Sequence, residues 1–235
     1  MTNAHISSAF DTDLEAVLAQ IMKMGGMVEN AIRLSMQSLE TRDEELAHQV
    51  RAADADIDAL EEAINENAAR IIALRAPTAI DLRLILSVIK ISGNLERIGD
   101  YAKNMAKRTE VLSNVDPISD STGTLQRMTR AVEIMLKDAL DAYIHRDVAL
   151  AADIIARDAE VDQMYNALFR ELLTFMMEDP RNITACLHLH FISKNTERMG
   201  DHVTSIAEQV IYLANGKQPD EARPKADTTS TVTGV

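Results

Sequence analysis

The heptapeptide NLERIGD at 94–100 returns as NTERMGD at 195–201, an offset of 101 residues. Arg42-Asp43 returns as Arg146-Asp147, and the pair Asp54/Asp58 as Asp158/Asp162, both at an offset of 104. Pro77 and Pro180 stand 103 apart, and MGGMVE (24–29) has a faint echo in MTRAVE (128–133). Self-similarity of this kind means that each copy is the same supersecondary unit. The chain is therefore confined to architectures made of two like halves.

Those halves read as helical. Apolar residues recur at three- and four-residue spacing almost without a break from Leu14 to Leu213. Interruptions near 42–43, 76–77, 113–123, 146–147 and 179–180 predict six helices over 14–41, 43–75, 78–112, 122–145, 147–178 and 181–214. Pro77 and Pro180 suit first-turn positions, where a missing N–H is no loss. Gly216 suits a helix stop, and the polar stretch 216–235 suits a disordered tail. With 8 Gly, 5 Pro, no Trp and only 3% aromatic residues, the composition fits packed aliphatic helices better than strands and turns. Short connections make successive helices antiparallel neighbours. The expected fold is all-α, two tandem homologous three-helix bundles at 1–112 and 122–215, joined by a linker at 113–121.

Charge narrows the function. Acids outnumber bases 37 to 24, for a net charge of −13, and such a surface repels phosphate backbones. Nucleic acid is set aside as a partner. Residues 1–17 contain no basic region followed by an apolar run, so no signal peptide is expected. The most apolar stretch, 82–91, is interrupted by Arg83, Ser87 and Lys90 and is too short for a bilayer. Cys186 is the one cysteine, which excludes an internal disulfide. A soluble, cytoplasmic protein is the expectation.

The repeated heptapeptide carries two acids four residues apart, on one helix face. Folding the second and third helices about Pro77 sets Asp58 level with Glu96, and Asp54 level with Asp100, since both arms rise about 1.5 Å per residue. The second unit sets Asp162 level with Glu197 and Asp158 with Asp201, about a turn centred between Asp179 and Pro180. Glu29 and Glu133, from the first helix of each unit, lie at the matching height as outlying fifth members. On a helical wheel the acids fall beside the apolar seams, on a solvent-reachable flank.

A solvated acidic face is the bland account of any one such pair. Four acids converging twice is harder to explain that way, because unit charges about 5 Å apart repel by roughly 3 kcal/mol at an effective dielectric near 20. Arg97 and Arg198 point about 100° away and compensate only in part. Bound cations would resolve the conflict, and an all-carboxylate set suits Mg, Mn, Ca or Fe, in sites that can be multinuclear. Zinc fits less well, since Cys and His are scarce. His190 shares the stripe of Glu197, but its first-unit counterpart is Ile89, and it reads as structural. Glu45 and His48 match half of a Glu-x-x-His di-metal motif, yet the equivalent stretch 149–152 lacks both residues. His188 and His190 face different sides, Cys186 reads as core, and Gly25-Gly26 as close helix packing. No catalytic constellation is evident.

The two ERxGD helices, together with MKMGGMVE, APTAIDLRL and FMMEDPR, resemble the PhoU family over roughly residues 5–215. The resemblance implies a negative regulator of the phosphate-starvation response, linking a high-affinity phosphate ABC transporter to a sensor histidine kinase. It implies as partners the transporter's ATPase subunit and the kinase's cytoplasmic region, with the membrane reached only through them, and a homodimer. It also implies metal clusters on paired E(D)xxxD motifs, here Asp54, Asp58, Glu96 and Asp100, and Asp158, Asp162, Glu197 and Asp201. Gly93 in the first unit corresponds to Lys194 in the second, so the two sites need not match. The alternative is a metal-dependent phosphoesterase or di-metal enzyme using the same acids; a metal store is a poorer third.

Overall fold

The computed structural model describes residues 2–118, 121–217, 226, 227 and 229, with backbone alone at 2–9 and 121. It contains six long helices: α1 Thr2–Thr41, α2 Glu44–Arg75, α3 Ala79–Leu112, α4 Ser121–His145, α5 Val148–Glu178 and α6 Ile183–Asn215, with a 3-10 turn at Pro180–Asn182. No strand occurs among the described residues. The six expected helices are all present, and the largest difference in bounds is α1, which begins at Thr2 rather than 14.

The repeated Arg-Asp dipeptides make one turn twice. Arg42 and Arg146 adopt left-handed backbone at φ 56° and 54°. The next amide reaches back to the fifth residue before it, Asp43 to the Ser38 carbonyl and Asp147 to the Ala142 carbonyl, both at 2.9 Å. This is the Schellman closure of a helix end. The same aspartates then cap the following helix, accepting from Leu46 N at 2.9 Å and Leu150 N at 3.0 Å. One dipeptide ends a helix and starts its antiparallel successor.

Pro77 is not in the first turn of α3. It lies in the loop, and Thr78 is the cap residue, its hydroxyl donating to Asp81 at 2.9 Å. The proline bars α-helical backbone at Ala76, which ends α2 in the left-handed region at φ 45°. Pro180 opens the 3-10 turn as expected of a first-turn proline. Gly216 stops α6 at φ 71°, its amide bonded to the Tyr212 carbonyl.

Within each unit the three helices pack on one another, α1–α3 and α4–α6. Between units α3 packs against α6 and α1 against α4, while α2 and α5 stay on the outside. The core is a continuous aliphatic one, with Ile21, Met24 and Ile32 of α1, Ile91, Leu95 and Ile98 of α3, and Leu125 of α4 fully buried. Gly25 is buried where a Cβ would run into Leu140 of α4, so this glycine sets the close approach of the two units. α3 and α6 run antiparallel, and His202 Nδ1 meets Asn94 Oδ1 across them at 2.8 Å. A buried Ser87–Tyr143 hydroxyl pair at 3.3 Å also ties the units together.

Candidate cation sites

The hairpin register brings the acids together. In the first unit, Asp54 feels the charges of Asp58 and Asp100, and Glu96 those of Asp100 and Asp58. In the second, Glu197 feels Asp201, and Asp162 is buried on the facing helix α5. The flank is deeper than a single helix wheel suggests. Asp54, Asp158, Asp162 and Glu197 are only 3–6% exposed, Glu96, Asp100 and Asp201 are half-buried, and Asp58 alone is open to solvent. The expectation of a solvent-reachable flank is corrected here, and in the second unit the glycine of the motif contributes to the depth.

Gly99 and Gly200 are buried in the seams α2–α3 and α5–α6. A Cβ on Gly200 would stand 2.6 Å from Asp158 Oδ1, and one on Gly99 would stand 3.8 Å from Asp54 Oδ1. In the second unit, absence of a side chain at Gly200 lets α5 lay the Asp158 carboxylate against α6. The role of this glycine was invisible in one helix taken alone.

Each cluster contains a lysine that the register argument did not include. Lys103 donates to Asp54 Oδ2 and, at 3.4 Å, to Asp100 Oδ1. Lys194 Nζ lies 2.9 Å from Glu197 Oε2. Arg97 also reaches the first cluster, 3.4 Å from Glu96 and 3.6 Å from Asp100, so it compensates more than its wheel position implied. The signal was in the sequence: both lysines stand three residues from an acid of the motif, on the same helix face.

Even so, the carboxylates remain under-neutralised. Burial pushes the Asp54 carboxyl up, more than Lys103 pulls it down. Burial and the Asp100 charge push Glu96 up against the pull of Arg97. Burial raises Glu197 in the same way, against Lys194. Asp54 Oδ1 is buried with no hydrogen-bond partner among the described residues. As the side chains stand, no three His, Cys, Asp or Glu residues among those described converge to enclose a metal ion, the ammonium groups being the counter-charge in place. The donor chemistry, oxygen only with an orphaned buried carboxylate oxygen, fits a hard divalent cation exchanging with an ammonium.

Glu29 and Glu133 are placed elsewhere. Burial raises the Glu29 carboxyl, and its charged neighbours are Glu133, Lys137 and Asp141 of α4, across the junction of the units. Glu133 pairs with Arg130 at 2.7 Å. Equal height was not enough, because rotation about each axis turns these two acids toward each other. His190 sits among the rings of Tyr165, Phe169 and Phe191, with burial lowering its pKa. His188 faces Arg108 instead, at 3.3 Å. His48 is an exposed neighbour of Glu110, and Cys186 is fully buried.

The PhoU domain family matches this chain twice, over residues 21–109 and 125–210, once in each unit. The chain belongs to the PhoU family. A "Phosphate-specific transport system accessory protein PhoU homolog" of Caulobacter vibrioides (strain NA1000 / CB15N) is 44% identical over 226 residues, covering 96% of this chain and 98% of that protein. The homologue so named in Rhizobium meliloti (strain 1021) is 45% identical over 235 residues, covering 100% and 99%. Among solved structures, PhoU from Pseudomonas aeruginosa superposes with a TM-score of 0.86 at 39% identity, covering 88% of this chain and 100% of that one. The phosphate transport system regulatory protein PhoU from Streptococcus pneumoniae gives 0.83 at 27% identity, covering 90% and 100%. The all-α, paired three-helix arrangement is thus the PhoU fold, and none of its described helices is long and apolar enough to cross a membrane.

Proposed function

We propose that this protein is an accessory regulator of phosphate uptake that holds the phosphate-starvation response off. In this reading it is an adaptor between a phosphate ABC transporter's ATPase subunit and a sensor histidine kinase's cytoplasmic region. It works in the cytoplasm, as a homodimer, and meets the membrane through those partners. The observation that carries the reading is likeness along nearly the whole chain to proteins named as accessory to phosphate-specific transport.

The two carboxylate clusters are its divalent-cation sites, Mg, Mn or Fe rather than Zn. Asp54, Asp58, Glu96 and Asp100 would hold cations in the first unit, and Asp158, Asp162, Glu197 and Asp201 in the second. A bound cation would supply the positive charge that Lys103 and Lys194 now supply, and would fix the outer helices against the inner pair. The under-neutralised acids support this, as does the orphaned Asp54 oxygen.

Pull-down with the ATPase subunit and with the kinase's cytoplasmic region tests the adaptor reading, and capture of either is expected. Failure to bind both, with and without added Mn²⁺, would overturn it. Elemental analysis of Glu96→Ala plus Asp100→Ala is expected to show loss of the first unit's metal with helicity kept. Steady turnover of a phosphate ester, lost in the same variant, would make the protein an enzyme instead.

A further inference from the structure

Three residues of the polar segment beyond Gly216 pack against the second carboxylate cluster, between α5 and α6. The Ala226 and Asp227 amides both donate to Asp162 Oδ2, at 2.7 and 3.1 Å. Asn166 Nδ2 donates to the Ala226 carbonyl at 2.6 Å. Lys194 Nζ donates to Asp227 Oδ2 at 2.8 Å while pairing with Glu197. The other Asp227 oxygen accepts from the amide and hydroxyl of Thr229, at 2.9 and 2.7 Å. Thr229 is in turn hydrogen-bonded to Tyr165, whose ring centroid lies 4.8 Å from Lys194 Nζ.

The Ala226 and Asp227 amides are thus held by Asp162 and the Ala226 carbonyl by Asn166, one turn apart on α5. A lysine on α6 reads the aspartate side chain. The tail expected to be disordered, 216–235, lies outside the described residues except at 216, 217, 226, 227 and 229. In the first unit, Asp58, the counterpart of Asp162, is exposed.

We propose that the segment bearing Ala226, Asp227 and Thr229 is a strap that closes the second cluster, so that strap and divalent cation exclude each other there. The inference rests on the cation reading above. Two amide donors fill the lone-pair directions of Asp162 Oδ2 that a cation would use. Lys194, held between Glu197 and Asp227, stands where a dication at Glu197 would repel it. A cation entering this cluster must turn those donors out, and the strap leaves with them. By linkage the converse holds: whatever captures the freed segment raises the cluster's affinity for the cation. The second cluster thus couples cation occupancy to release of the segment bearing Ala226, Asp227 and Thr229, a contact the first cluster lacks among the described residues.

The test compares the full chain with a chain ended after Lys217, both carrying Glu96→Ala and Asp100→Ala to silence the first cluster. Mn²⁺ binding is read by calorimetry, and helicity by circular dichroism. A strap docked in nine chains of ten raises the apparent Kd about tenfold, so truncation is expected to tighten Mn²⁺ by about that factor. Asp227→Ala in the full-length chain is expected to recover part of the gain without removing any residue. In ¹⁵N-resolved spectra, Mg²⁺ is expected to move the Ala226 and Asp227 amides to random-coil positions. Equal Mn²⁺ affinity with and without the segment overturns the strap and leaves the cation reading standing. Failure of every chain to bind Mn²⁺, including chains with the first cluster intact, overturns the cation reading and the exclusion with it.

Discussion

Lys103 answers the acids of the first unit from three residues after Asp100, whereas Lys194 answers those of the second from three residues before Glu197. At the offset of the heptapeptide, the counterpart of Lys103 is Thr204 and that of Lys194 is Gly93. The two halves of the molecule thus share eight acids and two glycines, but their counter-charge comes from unrelated positions. A pair kept only as a salt bridge would keep both partners in both copies. What has been kept is the concentration of negative charge beside a glycine, with a cation supplied from whichever neighbouring turn can offer one. The halves also differ in depth: Asp58 is exposed, while its counterpart Asp162 is buried beneath the strap.

The sharpest way to break that comparison is to remove each lysine. Lys194→Met leaves the buried Glu197 facing Asp227 with no ammonium between them. It is expected to cost about 3 kcal/mol, the range for stranding a buried charge. Lys103→Met is expected to cost only about 1 kcal/mol, because that side chain is 40% exposed against 27% for Lys194 and water screens its pairs. Urea denaturation at neutral pH reads both. Equal losses would erase the distinction between a deep cluster and an open one.

A smaller contrast lies under the carboxylates. A Cβ at Gly200 would meet Asp158 Oδ1 at 2.6 Å, forcing a buried acid to move. Gly200→Ala is expected to cost about 1–2 kcal/mol, overpacking being offset in part by the helix propensity gained. At Gly99 the nearest atom is Ile57 Cδ1 at 3.2 Å, the end of a flexible side chain. Gly99→Ala is expected to be neutral within about 0.5 kcal/mol, since the propensity gain of about 1 kcal/mol offsets the crowding. Thermal unfolding of the two variants separates these outcomes. A loss at Gly99 as large as at Gly200 would mean that the approach of α2 is as tight as that of α5.

These residues also show what the sequence made legible. The paired Arg-Asp turns and Gly216 marked helix ends because each needs a special backbone state or cap. The equal spacing of Asp54, Asp58, Glu96 and Asp100 about Pro77 foretold their meeting, since rise per residue is common to all α-helices. Depth was not legible. It depends on how closely the outer helix approaches, which is tightest where Gly200 meets Asp158 and cannot be read from the spacing within either helix. Rotation was not legible either, so Glu29 and Glu133, correct in height, turned toward each other across the two units. The strap escaped because its segment is polar and aperiodic, and only Asp162, Asn166 and Lys194 together give it a place.

The pH dependence of stability offers the least expected effect and the finest test of the asymmetry. Asp54, Glu96 and Glu197 are all raised above their ordinary values of 3.8, 4.5 and 4.5, burial being the leading cause. Each therefore binds its proton more readily folded than unfolded, and stability increases as pH falls from neutral through the folded value. Asp227 has the opposite sign. Burial works upward on it, but the bonds from Lys194 and Thr229 outweigh burial and hold it below 3.8. Its contribution is present above the unfolded value and is lost as pH falls through the folded one. The first cluster carries two raised acids and the second one raised acid plus the strap's lowered one. The melting temperature is expected to rise as pH is lowered from neutral toward the ordinary carboxylate range, and then to fall. Asp54→Asn with Glu96→Gln is expected to flatten that rise more than Glu197→Gln does. A melting temperature that only falls with acidification would mean that Lys103 and Lys194 already neutralise their acids in full, leaving nothing for a cation to relieve.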